Sequence, residues 1–177
     1  MTIGIAGIGG IGSNVARILV QAGIKALKIV DFDRVELSNL NWQFYFHGQA
    51  GKRKTASLEQ NLYGISPDVR VETVDRKISA GDVAEIFAGC RLVVEGFDDR
   101  RLKKMIIEEL SSSGMPVISA SGIAGGQLAN IRVKQMGNCW IVGDLTSDQE
   151  DHELYPPKIA MITALMADLV LEKTKDR

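Results

Sequence analysis

The chain has 177 residues, of which 45% are hydrophobic and 24% are charged, and its formal net charge is -1. This near-neutral charge gives no support for nucleic-acid binding by bulk electrostatics, and no run is long and apolar enough to span a membrane. The two cysteines, Cys90 and Cys139, belong to no C-x-x-C pair, which argues against a structural zinc site and favours a reducing, cytoplasmic setting.

The first part of the chain alternates short apolar runs with helical periods. In chain order the pattern predicts a strand at 3–6, a helix at 11–22, a strand at 27–30, an irregular stretch at 37–51, a helix at 54–63 and a strand at 69–74. The first three elements form a strand–helix–strand unit, which should cross over with a right hand.

The second part continues the alternation and then becomes β-only. We expect a helix at 82–87, a strand at 92–94, a helix at 102–110, a strand at 116–120, an antiparallel hairpin of 127–133 with 139–142, an exposed acidic loop at 144–155 and a helix at 159–171. The order predicts an α/β fold: a Rossmann-like, mostly parallel sheet with an antiparallel edge hairpin and helices on both faces. We expect residues 1–177 to form a single domain.

A glycine-rich turn follows the first predicted strand. Gly7, Gly9 and Gly12 match the pattern G-x-G-x-x-G at the start of a helix, where backbone N–H groups and the helix dipole favour phosphate. Asp31 ends the next strand, where a carboxylate can hydrogen-bond ribose hydroxyls. This fingerprint predicts a nucleotide site but does not separate NAD(P) from ATP, so an oxidoreductase stays open as an alternative.

Further motifs appear in a fixed order along the chain. They are Gly7-Ile8-Gly9-Gly10-Ile11-Gly12-Ser13-Asn14, Asp31-x-Asp33, Ser38-Asn39-Leu40-Asn41-x-Gln43, Gly51-x-x-Lys54 and Phe97-Asp98. This ordered set resembles the ThiF/MoeB family, relatives of the ubiquitin-activating enzymes. The closer likeness is to the short bacterial ThiF-like proteins that lack zinc-binding cysteines, and the segment 119–125, Gly143-Asp144 and Pro157-Lys158 strengthen it.

The resemblance implies an activity, its cofactors and its partners. Such enzymes use ATP and Mg²⁺ to activate the C-terminal glycine of a small ubiquitin-like sulfur-carrier protein, which gives an acyl-adenylate and pyrophosphate. The expected pathway is thiamine biosynthesis, and the expected assembly is a homodimer. Adenylation of a tRNA base or a peptide remains an alternative that the residues do not exclude.

The resemblance also implies roles for individual residues. The catalytic pair would be Lys54, which neutralises charge on the α-phosphate, and Asp98, which binds Mg²⁺. Taken alone, Asp98 could instead cap the helix that follows it. The nucleotide-binding set would be Gly7, Gly9, Gly10, Gly12, Asp31, Asp33, Asn39, Gln43 and Lys54.

One residue departs from the family pattern. Trp42 stands where the family has an arginine, and an indole cannot form the bidentate bonds that a guanidinium gives to phosphate. Three interpretations follow: phosphate binding passes to Lys52, Arg53 or Arg100; catalysis is weakened and a carrier- or nucleotide-binding protein remains; or Trp42 packs with residues 44–46 at a subunit interface.

Overall fold

The computed structural model describes residues 1–148 and 151–175. Along these residues the elements are β1 (Thr2–Ala6), α1 (Gly10–Gln21), β2 (Ala26–Asp31), α2 (Lys54–Ile65), β3 (Arg70–Asp75), α3 (Val83–Ile86), β4 (Cys90–Glu95), α4 (Arg100–Ser112), β5 (Val117–Ala120), β6 (Arg132–Met136), β7 (Cys139–Gly143) and α5 (Pro156–Thr174). Two short 3-10 helices, Leu37–Asn39 and His47–Gln49, interrupt the irregular stretch before α2. Over the same residues, no helix is both long and apolar enough to cross a membrane.

The strands form one sheet in the order β3-β2-β1-β4-β5-β7-β6. Neighbouring strands are parallel throughout, except that β6 runs antiparallel to β7 at the edge. The prediction of a Rossmann-like, mostly parallel sheet with an antiparallel edge pair is therefore confirmed. Because β1 and β4 are neighbours, the chain leaves the sheet in opposite directions after them, and such a switch point opens a crevice at the carboxyl ends of the strands.

The sheet is covered on both faces because its strands alternate between two hydrophobic clusters. Ile3 and Ile5 of β1 pack toward α1, α2 and α5, whereas Val93 of β4 packs toward α3 and α4. Gly4 leaves room on the second face for Phe87, whose ring carbon would lie only 2.6 Å from an added Cβ. Each fully buried aliphatic side chain of this kind contributes about 1.5–3 kcal/mol to folding.

The first strand of the edge hairpin lies later in the chain than the predicted range 127–133. Gly137, with φ +60°, and Asn138 form a two-residue turn that places Met136 opposite Cys139. Since the turn sets the register of a hairpin, the strand must end directly before Gly137. All of β6 is exposed, so no alternation of buried and exposed residues marked its position.

The segment 144–155 is a loop among its described residues, and residues 146, 151–153 and 155 are exposed as its polar sequence predicted, but its ends are anchored. Asp144 is buried, with 7% of its surface exposed, and Ala124 forms a β-bridge with Leu154 near the other end of the segment. Residues 149 and 150 of this segment lie outside the described residues. Both described ends of the segment are therefore tied to the rest of the protein.

Candidate functional site

A cleft of about 940 Å³ lies at the carboxyl ends of the central strands. It is lined by most of the residues that the sequence singled out: Gly7, Gly9, Gly10, Asp31, Asp33, Gln43, Lys54 and Asp98. Gly12 and Asn39 do not line it. The sequence therefore located the cleft, and the structure separates residues that face it from residues that support it.

The positions of the turn require glycine for different structural reasons. A Cβ on Gly12 would lie 1.9 Å from the backbone oxygen of Gly7, so Gly12 lets α1 pack directly onto the turn. A Cβ on Gly9, by contrast, would meet nothing closer than 3.8 Å, and a Cβ on Gly10 would lie 3.1 Å from the indole of Trp42. Gly9 and Gly10 thus present backbone to the cleft at the N-terminus of α1, the arrangement that favours phosphate.

The aromatic segment after β2 is clamped onto the glycine turn. Ser13 Oγ donates to Gly9 O over 2.6 Å and accepts from the Phe44 N–H. Asn14 Nδ2 donates to the backbone oxygens of Gly10 and Trp42, at 2.7 and 2.8 Å. These bonds explain why serine and asparagine follow the last glycine of the motif.

Residues 42–46 do not form one surface patch. Trp42 lines the cleft, whereas Tyr45 is buried and donates its hydroxyl to Ile8 O at 2.7 Å. Phe46 is 55% exposed and stacks edge-on with Phe44. The indole of Trp42 therefore stands on the cleft wall, apart from the Phe44–Phe46 pair, and its place at a subunit interface stays a prediction.

Asp31 supports the turn as well as lining the cleft. Its Oδ2 accepts the Ile8 N–H at 2.8 Å, and its Oδ1 accepts the N–H groups of Phe32 and Asp33. Burial raises the pKa of Asp31, against the opposing effects of the Ile8 and Asp33 bonds and of the Lys54 charge. Most of the hydrogen-bonding capacity of this carboxylate is therefore used to join the ends of β1 and β2.

Lys54 is held in the cleft by Asp33. Its side chain is 7% exposed, and its Nζ lies 3.2 Å from Asp33 Oδ2, while its own N–H donates to Asp33 O. Asp33 remains 49% exposed in its side chain, so this carboxylate keeps open hydrogen-bonding positions. A buried lysine at the first residue of a helix opposes the helix dipole, which makes a purely stabilising role a poor explanation.

The two aspartates before α4 have separate roles. Asp99 caps α4, because its Oδ1 accepts the Leu102 N–H at 2.8 Å, and this bond lowers the pKa of Asp99. Asp98 is exposed in the cleft and has no side-chain hydrogen bond or ion pair within the described residues. The interpretation of Asp98 as the helix cap is therefore wrong.

The first turn of α4 is basic and lines the cleft, although a helix N-terminus favours negative side chains. Arg100 forms an ion pair with Asp148, and Lys103 forms one with Glu95. Arg101 lines the cleft, is exposed and has no ion-pair partner in the described part of the chain. The sequence shows this basic run, and the structure places it at a helix end whose dipole disfavours positive charge.

A buried carboxylate supports the basic turn from below. Glu95, at the end of β4, is fully buried and accepts bonds from Lys103 Nζ, from Ser119 Oγ at 2.6 Å and from the Phe97 N–H at 2.8 Å. Sequence reasoning did not assign this network. Because each buried oxygen has a partner, the network can hold Lys103 at the cleft without an uncompensated charge.

Of the proposed substitutes for an arginine at position 42, only Arg100 lines the cleft. Lys52 lines a separate shallow groove. Arg53 pairs with Asp75, with Nε 3.0 Å from Oδ2, and donates to Phe32 O. The cationic side of the cleft therefore comes from Lys54 and from the first turn of α4.

Comparison with known proteins gives one family and a consistent fold. The ThiF family model matches residues 1–174. The chain is similar to ubiquitin-like modifier-activating enzyme 5 of Caenorhabditis briggsae, with 38% identity over 88 residues, 50% of this chain and 20% of that protein. It is also similar to the adenylyltransferase and sulfurtransferase UBA4 of Lodderomyces elongisporus, with 31% identity over 138 residues, 77% of this chain and 30% of that protein.

Solved structures share the fold at lower identity. The tRNA N6-threonylcarbamoyladenosine dehydratase TcdA of E. coli, in complex with AMP, has a TM-score of 0.89 at 21% identity, covering 97% of this chain and 85% of that one. MccB of E. coli has a TM-score of 0.78 at 21% identity, covering 97% of this chain and 54% of that one. Structures of TcdA and MccB with ATP are also known. The chain spans between a fifth and a third of the length of the curated relatives cited above.

Proposed function

Because the chain belongs to the ThiF family, we propose that it is an ATP-dependent adenylyltransferase that activates the C-terminal glycine of a small ubiquitin-like sulfur-carrier protein. The observation that carries the proposal is one cleft that combines exposed glycine backbone, the buried ammonium of Lys54 and the carboxylate of Asp98, which has no partner among the described residues. The proposal treats residues 1–177 as one adenylation domain.

The reaction needs alignment and charge neutralisation more than covalent help from the protein. A carboxylate oxygen of the carrier forms a bond to the α-phosphorus of ATP. The bond from that phosphorus to the bridging oxygen breaks, and pyrophosphate leaves with the electron pair. Lys54 would neutralise the charge that develops on the α-phosphate.

Several features of the cleft fit a nucleotide. Gly9 leaves room for phosphate close to the backbone, since a Cβ there would meet nothing closer than 3.8 Å. Gln43 Oε1 is buried and has no hydrogen-bond partner among the described residues, as expected of a group that meets a ligand. Asp33 keeps exposed oxygens for ribose hydroxyls, and Asp31 would add the acceptor capacity that its backbone bonds leave.

The residues also fit a magnesium ion brought in with the phosphates. The described residues contain no cluster of three or more metal-ligating side chains. Mg²⁺ commonly takes one or two carboxylates together with phosphate oxygens and water, and the exposed carboxylate of Asp98 suits that role. When bound, the ion would supply charge neutralisation to the phosphates.

Arg101 would supply the guanidinium for the outer phosphates that position 42 lacks. Among the basic side chains that line the cleft, Lys54, Arg100 and Lys103 are already paired with carboxylates. Arg101 is exposed and has no such partner within the described residues. This favours an active enzyme over a protein that only binds, although Trp42 keeps the binding protein as the second candidate.

The pathway, assembly and location follow the family expectation. We propose thiamine biosynthesis, a homodimer and a cytoplasmic setting, which is consistent with two buried, free cysteine thiols. The exposed side chains of Met161 and Leu165 on α5 and of Phe46 give a dimer apolar surface to cover.

Pyrophosphate exchange tests the proposal. The protein is mixed with ATP, Mg²⁺ and labelled pyrophosphate, together with a carrier ending in Gly-Gly, a tRNA or a peptide. Exchange that depends on the carrier, and that Lys54→Ala abolishes, is the expected result. Exchange that depends on tRNA or peptide would replace the carrier in the proposal, while binding of ATP without any exchange would favour the binding protein. Thermal stabilisation by NAD(P) and not by ATP would overturn the proposal.

A further inference from the structure

A short wall of the cleft is built from the chain that follows β7. Leu145, Thr146, Ser147 and Asp148 all line the cleft. They face it from the β5 and β7 side of the sheet, whereas the glycine turn, Asp33 and Lys54 belong to the β1 and β2 side. The two walls therefore have different structural supports.

A buried lysine lies behind this wall. Lys158, in the first turn of α5, is fully buried, does not line the cleft and donates from Nζ to Ala124 O, to Asp144 Oδ2 at 2.6 Å and to Ser147 Oγ at 3.3 Å. An ammonium has three N–H donors, and here each has an acceptor. Lys158 thus joins three separate segments: the chain after β5, the chain after β7 and α5.

Asp144, which Lys158 holds in place, forms hydrogen bonds with the backbone of the wall. Its Oδ1 accepts the N–H groups of Thr146 and Ser147, both at 2.8 Å. Burial raises the pKa of Asp144, but the bonds from Lys158, Ser147 and Thr146 outweigh this effect and hold the pKa well below its usual range. Asp144 is therefore ionised at neutral pH.

The backbone around Asp144 is tightly constrained. Leu145 has φ +67°, a conformation that a side chain such as leucine rarely adopts. A Cβ on Gly122 would lie 2.0 Å from Asp144 Oδ1, and a Cβ on Gly143 would lie 1.8 Å from Ser121 O. A strained turn interlocked in this way persists only where its surroundings hold it, and strain of this kind concentrates at functional sites.

We infer that Lys158 is a positioning residue, which acts through Asp144 to hold the Leu145–Ser147 wall where the carboxylate substrate must meet the nucleotide. The inference rests on the proposed adenylation. None of the residues that the proposal assigns to ATP belongs to the Leu145–Ser147 wall, so loss of Lys158 should affect turnover and leave ATP affinity largely intact.

The test compares Lys158→Met with Lys158→Arg, which keeps the charge. Lys158→Met should lower kcat in carrier-dependent pyrophosphate exchange at least tenfold, while the Kd for ATP measured by calorimetry changes less than threefold. Lys158→Arg should recover most of kcat. Lys158→Met leaves the buried carboxylate of Asp144 without its ammonium partner. If this single variant fails to fold, the double variant Lys158→Met with Asp144→Asn removes that charge and should show the same loss of kcat.

Lys28 provides a matched control. This lysine is also largely buried, with a side chain 13% exposed, and its Nζ contacts Ile86 O at 2.9 Å and Glu72 at 3.0 Å, away from the cleft. Lys28→Met should lower stability toward urea without changing kcat. Equal kcat losses in the Lys28 and Lys158 variants, or a Lys158→Met enzyme with normal kcat, would overturn the inference.

Amide hydrogen exchange separates the inference from its premise. The N–H groups of Leu145, Thr146 and Ser147 should lose protection in Lys158→Met and keep it in Lys158→Arg. Unchanged protection in Lys158→Met would overturn the inference even if the protein proves to be the proposed enzyme. If Lys158→Met loses amide protection but the wild-type protein shows no pyrophosphate exchange, the inference stands and the proposed function is the part that failed.

Discussion

Two adjacent aspartates offer a direct test of the division between chemistry and stability. We expect Asp98→Ala to abolish most activity with little effect on folding, and Asp99→Ala to do the reverse. Asp98 has no side-chain partner within the described residues, whereas Asp99 caps α4 through Leu102. The two substitutions remove the same charge from neighbouring positions on the cleft, so each serves as the control for the other.

The expected magnitudes follow from these contacts. Loss of the Asp99 cap should lower Tm by about 2–4 °C in a chain of this size. Asp98→Ala breaks no bond within the described residues, so its Tm should stay within about 1 °C of wild type. Asp98 would hold the Mg²⁺ ion that neutralises charge on the phosphates. Losing one such electrostatic contribution to a transition state typically lowers kcat by about 10²- to 10³-fold, which is the loss expected for Asp98→Ala.

The assay pairs thermal unfolding with carrier-dependent pyrophosphate exchange on the same preparations. Asp99→Asn adds a further control, because asparagine caps a helix about as well as aspartate; this variant should match wild type in Tm. If Asp98→Ala retained more than about a third of wild-type exchange, or if Asp99→Ala lost as much activity as Asp98→Ala, the assignment of Asp98 to magnesium would be refuted.

Further predictions concern the turn, the buried ion pair and the outer phosphates. Gly9→Ala should keep wild-type urea stability but weaken ATP binding by about tenfold or more, because its methyl fits the protein yet stands at the phosphate site. Gly12→Ala should destabilise the fold, because its Cβ would lie 1.9 Å from a backbone oxygen. Similar urea midpoints for the two variants would contradict this division of roles between the two glycines. For Asp144 the lowered pKa means that its stabilisation is present above the unfolded pKa of about 3.9 and is lost as pH falls through the native value. The stability difference between wild type and Asp144→Asn should therefore be constant from about pH 5 to 8 and shrink below about pH 4, and a difference that grew with acid would be inconsistent with this sign. Arg101→Ala should raise the KM for ATP about tenfold, whereas Trp42→Arg should change it less than about threefold. The opposite ranking would show that binding of the outer phosphates depends on position 42 and not on Arg101.

Local patterns were enough to predict the sheet and the turn. The strands of the sheet centre are short apolar runs, and Asp31 and Asp98 follow two of them, so the sequence placed both carboxylates at one edge of the sheet. The glycine spacing located the N-terminus of α1. Each of these features depends on residues close together in the chain, which periodicity and spacing can report.

What escaped prediction depends on contacts between distant segments or on packing at single atoms. The Lys158–Asp144 pair joins α5 to the chain after β7, and no local sequence pattern around either residue predicts this contact. Gly12 looked like a phosphate-facing glycine, and only the 1.9 Å approach to Gly7 O shows that it is a packing position. The exposed strand β6 had no alternation to reveal its register, which the turn at Gly137 decides.

Trp42 gives the chain a built-in optical signal. The sequence has two tryptophans, and of these only Trp42 lines the cleft. Trp140, on β7, lies under the ammonium of Lys173, 4.8 Å from its ring centroid, and contributes a separate background emission. Occupancy of the cleft can therefore be followed by intrinsic fluorescence without any label, with Trp140→Phe removing the background and leaving every cleft residue in place.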